Sequence, residues 1–288
     1  MLLLGPPGTG KTMLAQRLPG LLPRLSERES LEVSAIHSVA GLLNPANPLI
    51  SEPPFVAPHH TSTLTALIGG GTGMAKPGAV SRAHRGVLFL DECPEFTGRI
   101  LDALRTPLEE GEVRIARRDG VARYPARFQL ILAANPCPCA AAKERDCKCQ
   151  STQRARYLSR ISGPMLDRID VRVAMDPSPG KLLDTAGEPS HVVAARVAVA
   201  RLAAADRWRD FGWRTNGEVP GTALRGRFRP SGRAIVDLEA AMRNGSITAR
   251  GADRSLRVAW SVCDLRGGTS LAKEDVNSAL MLRDRGTR

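Results

Sequence analysis

The run Gly5-Pro6-Pro7-Gly8-Thr9-Gly10-Lys11-Thr12, directly behind the apolar Met1-Leu2-Leu3-Leu4, constrains the fold more than anything else in the chain. It fits the pattern G-x-x-x-x-G-K-[ST], in which a strand runs into a phosphate-cradling loop and the loop into a helix. Glycines let successive backbone N–H groups converge on phosphate oxygens with no side chain in the way. Lys11 reaches the β- and γ-phosphates as a point charge, and Thr12 offers its hydroxyl to Mg²⁺. The next residues, Met13-Leu14-Ala15-Gln16-Arg17-Leu18, carry apolar side chains at helical spacing. That helix would turn its positive end to the phosphates. The alternative, a Gly/Pro turn with an incidental lysine, leaves the flanking strand and helix unexplained.

A second element completes a nucleotide site. Gly86-Val87-Leu88-Phe89-Leu90-Asp91-Glu92 reads as a buried strand with its chemistry at the C-terminal end. Asp91 there can hold Mg²⁺ and Glu92 can polarise an attacking water. In isolation the pair could equally be strand-end surface carboxylates. Phe128–Asn135 is another buried strand, and it ends on an amide. In a parallel sheet Asn135 can lie beside Asp91-Glu92 and orient water against the γ-phosphate, or else serve as a cap before Pro136.

The 288 residues suffice for two domains. No apolar run approaches the ~20 residues of a membrane helix, and Met1–Leu4 is too short for a signal peptide. A cytoplasmic protein with no membrane partner is the expectation. From about residue 186 the patterns are helical only: Val192–Trp208, Ser231–Arg243, Ala252–Leu265 and Lys273–Leu282. The expectation is therefore an α/β nucleotide domain over 1–180, with insertions near 53–83 and 113–124, and a helical domain over 186–288. Net charge is +12, from 41 basic and 29 acidic residues, mostly through arginine. Such a surface favours phosphate-bearing partners, nucleic acid above all, or reflects a generally basic proteome. Residues 113–124 alternate with period two around Asp119-Gly120, a hairpin signal. Arg114, Arg117, Arg118 and Arg123 lie on it, as DNA contacts or as a solvated basic face. Cys137-Pro138-Cys139 and Cys147-Lys148-Cys149 have the chemistry to hold one structural Zn²⁺; reduced free thiols are the alternative. Cys93 and Cys263 read as core residues.

Longer motifs carry a resemblance. They are Pro54-Phe55-Val56-Ala57-Pro58-His59-His60-Thr61, Ala83-His84-Arg85-Gly86 running into Asp91-Glu92, Ala134-Asn135-Pro136-Cys137-Pro138-Cys139, and Leu158–Asp170. On these the chain resembles the YifB/ComM family, magnesium-chelatase-like AAA+ ATPases, over essentially its whole length. The resemblance implies an AAA+ α/β sheet with helices on both faces and a C-terminal helical lid. Lys11 and Thr12 match the Walker A motif, Asp91 and Glu92 Walker B, and Asn135 sensor 1. Arg168 matches an arginine finger reaching a neighbouring subunit, although an intramolecular Asp–Arg pair is its plainer role. Arg250 matches sensor 2, with Arg254 as runner-up. The hairpin at 113–124 resembles one that points into the pore of ring motors. His59 and His60, in the other insertion, either contact substrate or pack.

The implied activity is ATP hydrolysis with Mg²⁺ in a homo-oligomeric ring, usually a hexamer. The implied substrate is DNA, through branch migration or unwinding of recombination intermediates in natural transformation. The second reading is a magnesium-chelatase-type subunit remodelling a protein partner. The family normally places a substantial domain ahead of this module. The chain is expected to lack it, so an inactive fragment is the third reading.

Overall fold

The computed structural model describes residues 1–71, 75–117, 120–142, 144–176 and 187–284. It divides into two compact units, residues 1–168 with 174–186, and residues 169–173 with 187–288.

The chain forms a five-stranded sheet, four of whose strands lie wholly in the first unit. Its strands are β1 (Leu2–Leu4), β2 (Phe55–Val56), β5 (Val87–Leu90), β8 (Gln129–Ala134) and β9 (Arg172–Ala174), in the order β2-β5-β8-β1-β9. Two small antiparallel pairs stand apart from it: β3 (Gly69–Gly70) with β4 (Lys76–Pro77), and β6 (Glu112–Arg117) with β7 (Gly120–Pro125). The helices of this unit are α1 (Lys11–Arg17), α2 (Glu27–Val39), α3 (Leu64–Ile68), α4 (Ala79–Arg82), α5 (Gly98–Ala103), α6 (Arg105–Glu110), α7 (Ser151–Leu158) and α8 (Gly163–Leu166).

The central pairings β2–β5, β5–β8 and β8–β1 are all parallel. Every residue of β5 is buried, as is β8 from Leu130 onward. This is why both strands read as unbroken apolar runs: a parallel sheet covered on both faces gives no alternation. Leu3, Leu88, Leu90 and Leu132 are fully buried. Each contributes about 1.5–3 kcal/mol of apolar burial.

The insertion near 53–83 is more divided than its composition suggests. Phe55 and Val56 join the main sheet as an edge strand beside β5. Only Gly69–Gly70 and Lys76–Pro77 form a small hairpin pair, whose connecting residues 72–74 lie outside the described residues. The edge strand depends on Gly86, where a Cβ would come within 2.0 Å of the Pro54 carbonyl oxygen. The helical stretch from Gly98 to Glu110 breaks at Leu104 into α5 and α6. Pro107, in the first turn of α6, has no N–H to give to a continuous helix. The hairpin at 113–124 pairs over Glu112–Arg117 and Gly120–Pro125. Arg118 and Asp119 lie outside the described residues.

The second unit is helical: α9 (Ser190–Trp208), α10 (Gly221–Arg225), α11 (Gly232–Arg243), α12 (Ala249–Leu265) and α13 (Lys273–Asp284). All three tryptophans of the chain are here. Trp208 is fully buried, edge-on to Trp213, Phe228 and Trp260. Its indole N–H donates to Asn216 Oδ1 at 2.8 Å, and Asn216 Nδ2 donates to the buried Asp264 at 2.8 Å. Arg207 pairs with the same carboxylate. Trp208, Asn216, Asp264 and Arg207 thus satisfy one another, which keeps this network from costing stability.

Candidate functional site

The phosphate loop leaves β1 at Gly5, whose N–H donates to the Ala134 carbonyl at 3.1 Å. It turns into α1 through Gly10, at φ +84°. That left-handed conformation is open to glycine at no steric cost. Lys11 is buried, with Nζ donating to the carbonyls of Gly5 (2.6 Å) and Pro6 (2.8 Å) and to Asn135 Oδ1 (3.1 Å). Burial lowers its pKa, and the carboxylates of Asp91 and Glu92 oppose that shift. The ammonium therefore sits where phosphate would take it over from the loop's own carbonyls.

Asp91 follows the last residue of β5, and Asn135 the last residue of the neighbouring β8. The parallel register brings both beside the loop. Thr12 Oγ1 donates to Asp91 Oδ2 at 2.7 Å, so a hydroxyl and a carboxylate suited to Mg²⁺ already adjoin. Glu92 takes a left-handed backbone, φ 49°, and its N–H donates to Asp91 Oδ1 at 2.9 Å. Lys11, Thr12, Asp91, Glu92 and Asn135, with Pro7, Gly8 and Gly10, line one cleft of about 360 Å³. These are the residue types that hold and act on a nucleoside triphosphate with Mg²⁺.

The pattern of residues did not assign His60 to this chemistry. Its Nδ1 lies 3.4 Å from Glu92 Oε2, and its ring packs against His59 with centroids 4.1 Å apart. Both histidines line a second cleft, of about 310 Å³, which shares Thr12, Asp91 and Glu92 with the first. The paired histidines were the only available signal, and they do not say that they return to the β5 terminus.

The remaining arginines are placed less simply. Arg168 is buried, pairing with Glu109 at 2.8 Å and donating to the Pro164 carbonyl at 2.7 Å. Arg254 pairs with Asp170 at 2.6 Å, both in the second unit. Arg250 lies exposed at the start of α12. On the hairpin, Arg114 pairs with Glu112 (2.5 Å) and Glu110 (3.2 Å). Arg123, directly opposite it, is exposed and makes no ion pair among the described residues. The backbone of Arg117 ends β6.

The four clustered cysteines do come together, with all four sulfurs within 4.8 Å of one another. Burial pushes the Cys137 thiol up to about 11. Hydrogen bonds from Cys137 and Cys149 bring Cys139 down to about 6. Cys93 and Cys263 are buried, as core residues.

Residues 1–182 match the family model described as magnesium chelatase, subunit ChlI, and residues 187–283 match its C-terminal model. The chain belongs to the magnesium-chelatase ChlI family. An uncharacterized protein of Mycobacterium tuberculosis is 61% identical over 289 residues, covering 100% of this chain and 58% of the relative. YifB of Escherichia coli, also uncharacterized, is 39% identical over 286 residues, 98% of this chain and 55% of the relative. The competence protein ComM of Haemophilus influenzae is 39% identical over 287 residues, with the same two coverages. The chain thus spans a little over half the length of these relatives. The fold is that of this AAA+ family, a parallel sheet with helices and a C-terminal helical region. Among the described residues no helix is long and apolar enough to cross a membrane.

Proposed function

We propose that the chain is the motor part of a cytoplasmic, ring-forming AAA+ ATPase that acts on DNA. The observation that carries the ATPase is the convergence of Lys11, Thr12, Asp91, Glu92 and Asn135 on one cleft. Lys11 and the loop N–H groups bind the phosphates, and Thr12 and Asp91 hold Mg²⁺. Glu92 accepts the proton of the attacking water, while Asn135 orients that water or senses the γ-phosphate. When bound, Mg²⁺ would neutralise negative charge on the phosphates. Arg168 is the finger offered to a neighbouring subunit's nucleotide in a hexameric ring, a role that requires it to leave Glu109. Arg250, with Arg254 as alternative, is the helical unit's contribution. The four cysteines take a structural zinc ion.

DNA as substrate is supported by the +12 charge, by the arginine-bearing hairpin and by the 39% likeness to a competence protein. Branch migration or unwinding of recombination intermediates is the activity proposed. The family's chelatase name favours a second reading, a subunit remodelling a protein partner. Steady-state ATP hydrolysis with and without branched or single-stranded DNA separates them, with Glu92→Gln as the blank. Turnover that rises with DNA is expected. Turnover indifferent to DNA would favour the protein-remodelling motor, and none in a folded chain would remove the ATPase proposal from this chain.

A further inference from the structure

Between β8 and α7, the described residues of the segment 135–150 form no strand and only a short helical turn at Glu144–Asp146. Among its described residues Cys137 is the buried one. Ordering such a segment costs about 1–2 kcal/mol per residue in backbone entropy, and there is no apolar core here to offset it. The segment needs a staple, and the cysteines have the geometry of one. Cys137 Sγ lies 3.3 Å from Cys139 Sγ and 3.4 Å from Cys147 Sγ, and Cys139 and Cys147 are 3.5 Å apart. A disulfide would need about 2.05 Å. Four thiolates around one zinc, at Zn–S of about 2.3 Å, lie roughly 3.8 Å apart. The backbone is already shaped for it. Ala140 takes a left-handed conformation, φ 49°, and its N–H donates to the Cys137 carbonyl at 3.2 Å. The Ala141 backbone favours the thiolate form of both Cys137 and Cys139. Lys148, exposed between Cys147 and Cys149, sets a positive charge beside the negative charge of a zinc tetrathiolate, while Arg145 pairs with Asp146 at 3.8 Å.

One end of this knuckle borders the nucleotide cleft at Asn135, and the other leads through α7 to the turn after Glu92. Cys137 is two residues after Asn135, whose side chain meets Lys11. Cys149 is two residues before α7, whose first turn is closed by a reciprocal Gln150–Gln153 cap. Just beyond α7, Arg160 donates to the Pro94 carbonyl at 3.1 Å and pairs with Glu95 at 3.1 Å, in the turn that follows Glu92. We propose that zinc held by Cys137, Cys139, Cys147 and Cys149 positions Asn135 against the γ-phosphate, so that zinc occupancy sets how well the site tells ATP from ADP. This rests on the zinc and nucleotide readings given above. On binding, four S–Zn bonds form and the remaining thiol protons pass to solvent. The cysteines are positioning residues and touch no substrate.

The test uses the purified full chain in reducing buffer. Metal analysis is expected to find one zinc per chain. Affinities for fluorescent ATP and ADP analogues are then measured zinc-loaded, after chelation and after zinc is restored, in the native chain and in Asn135→Ala. Chelation is expected to lower the ATP-over-ADP preference about fivefold or more. Restored zinc should reverse it. Chelation should add nothing in Asn135→Ala, because groups acting through one contact are not additive. A chain without zinc overturns the zinc reading and this inference with it, leaving the ATPase untouched. Zinc present with additive losses overturns the positioning alone. An unaltered preference in zinc-loaded Asn135→Ala removes Asn135 from the γ-phosphate and sinks the inference from the nucleotide side. Should chelation unfold the chain, cobalt replaces zinc. Its thiolate absorption bands should then respond to the ATP analogue, not to ADP, and in Asn135→Ala to neither. Identical spectra with both nucleotides in the native chain would reject the coupling.

Discussion

Two adjacent carboxylates carry different chemistry because one residue of backbone separates their environments. Asp91 continues β5 and accepts from Thr12 and from the Glu92 N–H, so both its oxygens are held. Glu92, forced into the left-handed region, turns aside with its side chain about half exposed toward the cleft. Holding a non-glycine residue there costs of order 1–2 kcal/mol, a strain that persists where surroundings impose it. The two should therefore fail differently. Glu92→Gln keeps the shape and loses the proposed base. Turnover should fall about 10²–10⁴-fold while Mg·ATP affinity stays nearly unchanged, read by steady-state hydrolysis beside nucleotide titration. Asp91→Asn removes the proposed anionic metal ligand. It should weaken Mg·ATP binding at least about tenfold, the loss that even an outer-shell change at a metal site brings. ATP affinity without Mg²⁺ should barely move, and equal losses with and without the metal would contradict the assignment.

At the scale of elements, the site depends on how β5 enters the sheet. His84, just ahead of β5, is buried and ties three segments together. Its Nε2–H donates to Glu32 of α2 at 3.2 Å, and its Nδ1 accepts the Arg127 N–H at 3.0 Å, ahead of β8. Burial lowers its pKa below the ordinary 6.5, with the Glu32 hydrogen bond opposing. The unfolded chain then takes up the proton before the folded one does. The stability associated with neutral His84 is complete above pH 6.5 and declines as pH falls below it, levelling off under the folded value. Thermal melts between pH 7.5 and 5.5 should show this decline, shallower in His84→Gln. Parallel slopes in the two proteins would assign the acid sensitivity elsewhere. This linkage was not legible in the sequence, because Glu32, His84 and Arg127 are brought together only by the sheet. The phosphate loop and both buried strands were legible, since uncharged β-forming runs ending on Asp91 and Asn135 have few other uses. The split of α5 from α6, and the return of His60 to Glu92, were not. Local propensity carries no information about which distant side chain completes a contact.

For the whole molecule the question is how much of the +12 charge a polyanion can use. Arginine counts overstate it, because many guanidinium groups already face carboxylates: Arg85 with Glu29 and Glu32, Arg168 with Glu109, Arg207 with Asp264, Arg266 with Asp275. The hairpin shows the distinction within a single cross-strand pair. Arg114 and Arg123 are register partners, two like charges side by side. The pair is tolerable because Glu110 and Glu112 neutralise Arg114, and their contact raises its pKa further. Arg123 has no such company among the described residues. Each phosphate neutralised by a protein cation adds about 0.7–0.9 to the slope of log affinity against log salt. If the hairpin tracks DNA, Arg123→Ala should flatten that slope by nearly one such increment. Arg114→Ala alone should change it little, since displacing two carboxylates offsets the gain from the phosphate. Changing Arg114, Arg117 and Arg118 together should weaken binding and flatten the slope in proportion to those of the three that meet phosphate. Fluorescence anisotropy with labelled single-stranded DNA across a salt series reads all three. Equal effects of Arg114→Ala and Arg123→Ala would mean the Glu110–Glu112 pairing yields to DNA. No effect of any would move the DNA contact off the hairpin and return the protein-remodelling reading to first place.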